Sequence, residues 1–189
     1  MVWKGSPHGE YRTDHELTFR RLDGPVTERF DCGEQDQNEF LSKHAWDQQQ
    51  SGFSTTYVAY VGGMMVGYIS LALSEIRLPG PERLVSAFSS RFPALNIAQM
   101  GVDQRFAGHR IGEELVAFAL NRARTLMNDY GCRFLILDAA HGRAGYYARL
   151  GFVVNLHEQE RREREAKKQK RPLEDVSVSM RLDIRPPAT

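Results

Sequence analysis

The sequence predicts a mixed α/β domain, and three observations carry that reading. A glycine-centred hairpin joins two β-rich runs within 55–73, an amphipathic helix follows at 112–131, and the second half runs strand, turn, helix, strand, helix, strand. With 189 residues and 41% apolar side chains the chain can bury one core. A single domain is therefore expected over 17–184, between a mobile arm at 1–16 and a tail at 185–189. Basic and acidic residues, 25 and 24, nearly cancel, so affinity for nucleic acid has to come from a local patch and not from global charge. Cys32 and Cys132 lack C-x-x-C spacing; no metal centre or disulfide is expected, and both read as buried thiols of a reducing compartment. No apolar run approaches the roughly 18 residues of a membrane span and the N-terminus has no secretory core, so a cytoplasmic protein without a membrane partner is expected.

The elements follow in order. LTFRRL (17–22) alternates as a first strand, and EQDQNEFLSKHAWDQQQ (34–50) places Phe40, Leu41, His44 and Ala45 at helical spacing, ending near Ser51-Gly52. TTYVAYV and MMVGYISLAL are joined by Gly62-Gly63, a two-residue turn whose positive φ matches strand twist. Three prolines mark 78–94 as a connector, after which LNIAQMGVD is an apolar strand. In the long helix Leu115, Phe118, Ala119, Ala123 and Met127 form the apolar stripe, and Gly131 is the C-terminal cap. RFLILDA is a buried strand, RAGYYARLG a short helix, FVVN a strand and VSVSMRLDI the last strand. Between these, 157–172 carries seven Lys or Arg against four Glu, which reads as a solvated insertion with helical character.

The turn AGHRIG (107–112) stands where the long helix begins. A helix start offers unpaired N–H groups and a partial positive charge, and small residues allow an anion to approach the backbone. It is neither a Walker loop nor a G-x-G-x-x-G dinucleotide turn, and an ordinary strand-to-helix turn would look much the same.

MGVDQRFAGHRIGEELVAFAL resembles the cofactor segment of the GNAT superfamily of acetyltransferases, in which a strand ending in Val-Asp leads to a turn of the form [QR]-x-x-G-x-[GA]. Gly108 and Gly112 match; Ala107 and Arg110 depart from the pattern. GYYARLGF resembles the second mark of the superfamily, with Tyr147, Gly151 and Phe152 in register. The resemblance implies a GNAT fold: a mixed, mostly antiparallel sheet splayed at the cofactor strand, with helices on both faces. It also implies acetyl-CoA as cosubstrate, with the pantetheine along Met100, Gly101 and Val102 and the pyrophosphate on Ala107, Gly108, His109, Arg110, Ile111 and Gly112. The acyl oxyanion would then meet backbone N–H groups near Val102 and Asp103. Tyr147 takes the position of the family's general acid, whose phenol, of pKa about 10, stays protonated until the thiolate leaves. A helix aromatic packed on the core is the alternative for Tyr147, and Tyr146 is the more natural core residue of the two.

FDCG (30–33), the following helix with Phe40-Leu41, SGFSTTYVAY, VGYISLAL and FPALNIAQMGVD resemble a narrower group, the GNAT toxins of the TacT and AtaT kind. That resemblance implies acetylation of the α-amine of aminoacyl-tRNA, arrest of translation, a ribbon-helix-helix antitoxin and a homodimer. An α-amine of pKa about 7.7–8.0 is partly neutral at physiological pH and needs no strong base; Glu75 and Asp138 are candidates, although a solvated or capping carboxylate is the plainer reading of each. Phosphate contacts would come from Arg91, Arg105, His109, Arg143 and Arg149, joined by the cations of the insertion. In FDCG, Asp31 or Gly33 could simply cap the following helix. Two other functions fit the same residues: a GNAT enzyme acting on a small amine or a protein N-terminus, and a non-catalytic GNAT fold that binds CoA or a partner, which Arg110 in the turn keeps open.

Overall fold

The hairpin forms as its glycines require. In a computed structural model that describes residues 11–12, 17–78 and 91–185, β3 (Thr55–Val61) and β4 (Met64–Arg77) pair antiparallel around Gly62 and Gly63, at φ 55° and 81°. Positive φ at both turn positions is the type I′ requirement, which glycine meets without steric conflict. The rest of the expected arm, the stretch 79–90 of the connector and the tail beyond 185 lie outside the described residues. The chain divides into two compact units, one reaching to Ala72 with Ile97–Asn121, the other comprising Leu73–Asn96 and the chain from Arg122.

In the first unit the strand order is β1-β2-β3-β4-β5, where β1 is Tyr11–Arg12, β2 Leu17–Arg21 and β5 Arg91–Val102. β1 pairs with β2 and β2 with β3, both antiparallel. The helix at 35–50 is three pieces, α1 (Gln35–Glu39), a π turn (Phe40–His44) and α2 (Ala45–Gln50). The π turn corrects the expected face: Leu41, Ala45 and Gln49 are buried, whereas His44 is exposed. A wider turn moves the stripe from a 3.6-residue to a four-residue step, so His44 swings outward. Gln49 is accommodated because its amide bonds the carbonyl of Leu22 (2.6 Å) and its oxygen accepts from the N–H of Thr56 (3.0 Å). Leu22, Phe40, Leu41, Ala45, Val58, Met65 and Tyr68 form the core here. From α3 (Ile111–Tyr130), Phe118 stacks on Phe19 at 4.4 Å and meets Tyr57 edge-on at 4.8 Å.

In the second unit the order is β4-β5-β6-β8-β7, with β6 Phe134–Ala139, β7 Val153–Val154 and β8 Val178–Asp183; β8 pairs antiparallel with both neighbours. Its core gathers Ile76, Leu78, Phe92, Ala94 and Phe134. The connector is shorter than expected, because β5 already begins at Arg91 and admits Pro93, whose carbonyl accepts from the N–H of Arg133 (3.0 Å). A proline is tolerated in a strand where only its acceptor is used. At the end of α3, Gly131 (φ 84°) donates to Met127, the left-handed glycine closure of a helix, and Cys132 donates to Leu126, so two terminal carbonyls are satisfied. The charged segment is helix α5 (Leu156–Lys168), preceded by α4 (Ala144–Arg149) and β7. It does not stand away from its unit: Ala166 is buried, and Gln159 accepts from the N–H of Ser179 in β8 (3.1 Å).

Candidate cofactor turn and its clamp

In the first unit, β5 ends at Val102 and the chain passes through a short 3-10 turn, Gln104–Phe106, into 107–112. Gly108 and Arg110 both take left-handed backbone, φ 82° and 61°. Within this stretch the N–H of Ala107 donates to Gln104 and that of His109 to Phe106, while the carbonyl of Arg110 receives Glu113 and Glu114. The amides of Gly108, Arg110, Ile111 and Gly112 meet no backbone acceptor among the described residues. Open space surrounds the position of a Cβ on Gly108, and 107–110 are exposed. Unengaged N–H groups at the start of a 20-residue helix, next to left-handed residues, are donors of the kind that anions meet at helix starts. Such donors fit a diphosphate of CoA type. The Arg110 guanidinium folds back on Glu113, with Nη2 and Nε at 2.6 and 3.0 Å from Oε2.

Ahead of the turn, Asp103 is 2% exposed and its carboxylate accepts four N–H groups. Three come from Arg105 (backbone 3.0 Å, Nε 2.8 Å, Nη2 2.9 Å) and one from the backbone of Asp31 (3.3 Å). Those hydrogen bonds, from the Arg105 side chain first, hold its carboxyl below the usual carboxylate range against the opposing effect of burial. The amide of Asp103 donates to the carbonyl of Val66 at 2.9 Å, so it is committed to β4 and is not a free oxyanion donor. Arg105, expected as a rim cation, is therefore the counter-ion of a buried carboxylate.

The FDCG stretch is the other half of this clamp. Gln104 donates its N–H to the carbonyl of Asp31 (2.9 Å); the Asp31 carboxylate accepts from Gly33 (2.9 Å) and Asn38 (2.8 Å), and Asn38 accepts from Cys32 (2.9 Å). The N-cap of α1 is Glu34, and its side chain makes no capping hydrogen bond to the helix; Asp31 and Gly33 lie ahead of it. They tie the loop to β5 and the turn instead. At Gly101 a Cβ would lie 2.9 Å from Tyr68 and 3.2 Å from Cys32, so this point of the strand needs glycine. Burial pushes the half-buried Cys32 thiol up, which keeps it protonated. A polar cavity of about 520 Å3 opens beside the loop, lined by Asp31, Gln35, Asn38, Glu39 and Gln104 among others. Sequence reasoning does not join Asp103, Asp31 and Asn38 into one network; an aspartate closing an apolar strand is the available signal.

Tyr147 lies in the second unit, on α4. Half-buried, it meets Tyr146 edge-on at 5.1 Å and Phe152 at 6.0 Å. Burial pushes its phenol up and the Arg143 charge acts in the other direction, so the phenol is protonated at neutral pH. Tyr146 is half-buried too, so neither tyrosine is a fully buried core residue. Of the other expected residues, Arg91 pairs with Glu75 (2.8 Å), Asp138 with Arg162 (2.8 Å), Arg149 lies 5.9 Å from the centre of the Tyr146 ring, and His109 sits against the carbonyl of Ala107 (3.2 Å). Neither candidate carboxylate stands alone. Met100 and Val102 are half-buried on β5, beside the buried Gly101.

The sequence model of the acetyltransferase (GNAT) domain matches residues 52–154. Among solved structures, AtaT complexed with acetyl-methionyl-tRNAfMet is 25% identical, with a TM-score of 0.64 over 72% of this chain and 86% of that one. AtaTR bound with acetyl-CoA is 26% identical, with a TM-score of 0.59 over 72% and 84%. A tyrosine-to-phenylalanine mutant of KacT shares the fold, at 24% identity and a TM-score of 0.65 over 72% and 86%.

Proposed function

The chain belongs to the GNAT acetyltransferase family, and from that premise we propose that it acetylates the α-amine of aminoacyl-tRNA and so blocks translation as a toxin. The observation that carries this reading is the set of unengaged amides at 108 and 110–112, together with the likeness to AtaT complexed with acetyl-methionyl-tRNAfMet. Acetyl-CoA supplies the acetyl group as a thioester. Gly108, Arg110, Ile111 and Gly112 hold its diphosphate through their N–H groups, and Met100, Gly101 and Val102 line the pantetheine. The α-amine, partly neutral at neutral pH, attacks the thioester carbonyl without an enzymatic base; as the C–N bond forms the C–S bond breaks, Tyr147 gives its proton to the departing thiolate, and the proton shed by the nitrogen passes through water to restore the phenol. Arg143 and Arg149 are exposed and serve as phosphate contacts. A ribbon-helix-helix antitoxin and a second copy of the chain complete the assembly, in the cytoplasm.

Labelled acetyl-CoA offered together with charged tRNA and a panel of small amines and N-terminal peptides tests this directly. Label is expected on the aminoacyl group; label confined to the amines or peptides sinks the tRNA reading, and absence of acetyl-CoA binding by calorimetry sinks the enzyme. Tyr147→Phe is expected to slow transfer by about 100-fold or more while acetyl-CoA affinity holds. Unchanged turnover would assign the proton to another group.

A further inference from the structure

Helix α5 carries its charge in two parts. Along its body, Arg161 pairs with Glu158 and Glu165, and Arg162 with Glu158 and Asp138, at 2.6 to 3.4 Å. Arg162 also donates to the hydroxyl of Ser177, and Ala166 is buried, so this part is held within its own unit. The end differs. Lys167, Lys168, Lys170 and Arg171 are all exposed, and none of the four is in an ion pair among the described residues. Glu165, the carboxylate nearest before them, is already taken by Arg161.

Two lysines in a last helical turn are what a helix C-terminus favours. Lys170 is not accounted for in that way, because it stands at φ 56°, the left-handed closing position at which glycine is preferred. The N–H of Arg171 reaches back to Ala166 (2.9 Å) and that of Lys170 to Lys167 (3.2 Å), so the chain reverses at this point and does not run on. Four cations thus sit within five residues, on a tightly closed helix end.

We infer that this helix end binds the phosphate backbone of RNA. It rests on the proposed function only in taking tRNA as the natural source of that backbone. Lysine-rich point charges suit phosphates, which need neither planar geometry nor an apolar anchor. An acidic protein partner would want an apolar anchor among the cations, and the large exposed one close by in sequence is Leu173, beyond Arg171.

The test uses the full chain and uncharged tRNA, without acetyl-CoA, with affinity measured over a salt series. Changing Lys167, Lys168, Lys170 and Arg171 together to glutamine is expected to weaken binding at least tenfold at low salt. The slope of log affinity against log salt should fall by roughly three, at about 0.7 to 0.9 for each phosphate that is no longer neutralised. Lys170→Gly, which relaxes the backbone and removes one charge, should lower the slope by about 0.7 to 0.9 without loss of helix content. Wild-type affinity and slope in both variants overturn the inference, as does a wild-type chain that does not bind tRNA. So does loss of poly-glutamate binding with tRNA binding intact, which would point to an acidic protein. If these residues govern tRNA binding yet no acetyl group reaches aminoacyl-tRNA, the proposed function fails and this inference stands.

Discussion

Arg110 and Lys170 are the two described residues other than glycine with left-handed backbone, and both are cations at helix ends. Arg110 opens α3 and its charge is answered within one turn by Glu113. Lys170 closes α5 and its charge faces solvent beside Lys167, Lys168 and Arg171. The same backbone device thus serves opposite ends: one turn presents N–H groups with its side chain folded away, the other presents side chains with its backbone closed. Positive charge near a site is therefore a poor guide to which atoms meet the ligand.

The largest expected effect tests what holds the first turn in place. Asp103→Ala removes the acceptor of four N–H groups and is expected to cost about 2–4 kcal/mol in denaturant unfolding. A loss below about 1 kcal/mol would mean that the turn is shaped without its clamp. Acid titration probes the same group. Its folded-state pKa lies below the ordinary value near 4, so its contribution is fully present above that value and is lost as pH falls through the folded one. Stability should fall below about pH 4, and Asp103→Asn should flatten part of that decline. Next come the paired glycine substitutions. Arg110→Gly and Lys170→Gly should each raise Tm by about 2–4 °C by relieving the left-handed backbone, but only Arg110→Gly should weaken acetyl-CoA binding, by several-fold, because the guanidinium would leave Glu113 for a phosphate oxygen once the cofactor is bound. Tighter binding there would make the arginine an obstruction. The smallest effect is that of Glu113→Gln, which frees the Arg110 guanidinium and should tighten acetyl-CoA up to about threefold by letting it meet a phosphate oxygen. Unchanged calorimetric affinity would leave Arg110 outside the phosphate contacts.

Local chemistry was legible where one residue type decides one conformation. Gly62-Gly63 marked the hairpin, the stripe from Leu115 to Met127 marked α3, and Gly131 marked its end. Patterns that depend on a partner distant in sequence were not. His44 reads as buried until the π turn shifts the stripe to Gln49, and Gln49 becomes admissible only because Leu22 and Thr56 supply its hydrogen bonds. Pro93 signals a break, yet its acceptor serves Arg133, 40 residues on. Of the site, the turn at 107–112 was visible as small residues before a helix. Arg105 looked like a ligand-facing cation, because nothing near it in sequence reveals that Asp103 is buried and bound to Asp31 as well.

That shared aspartate has a consequence for inheritance and for engineering. The FDCG loop and the segment 103–105 read each other through main-chain contacts anchored on one carboxylate, so they form a single transferable module although some 70 residues separate them. A chimera that takes this loop from a relative has to carry the matching 103–105 segment with it. Loop libraries drawn without that segment would lose the Asp31–Asp103 and Gln104–Asp31 hydrogen bonds and the stability that they supply.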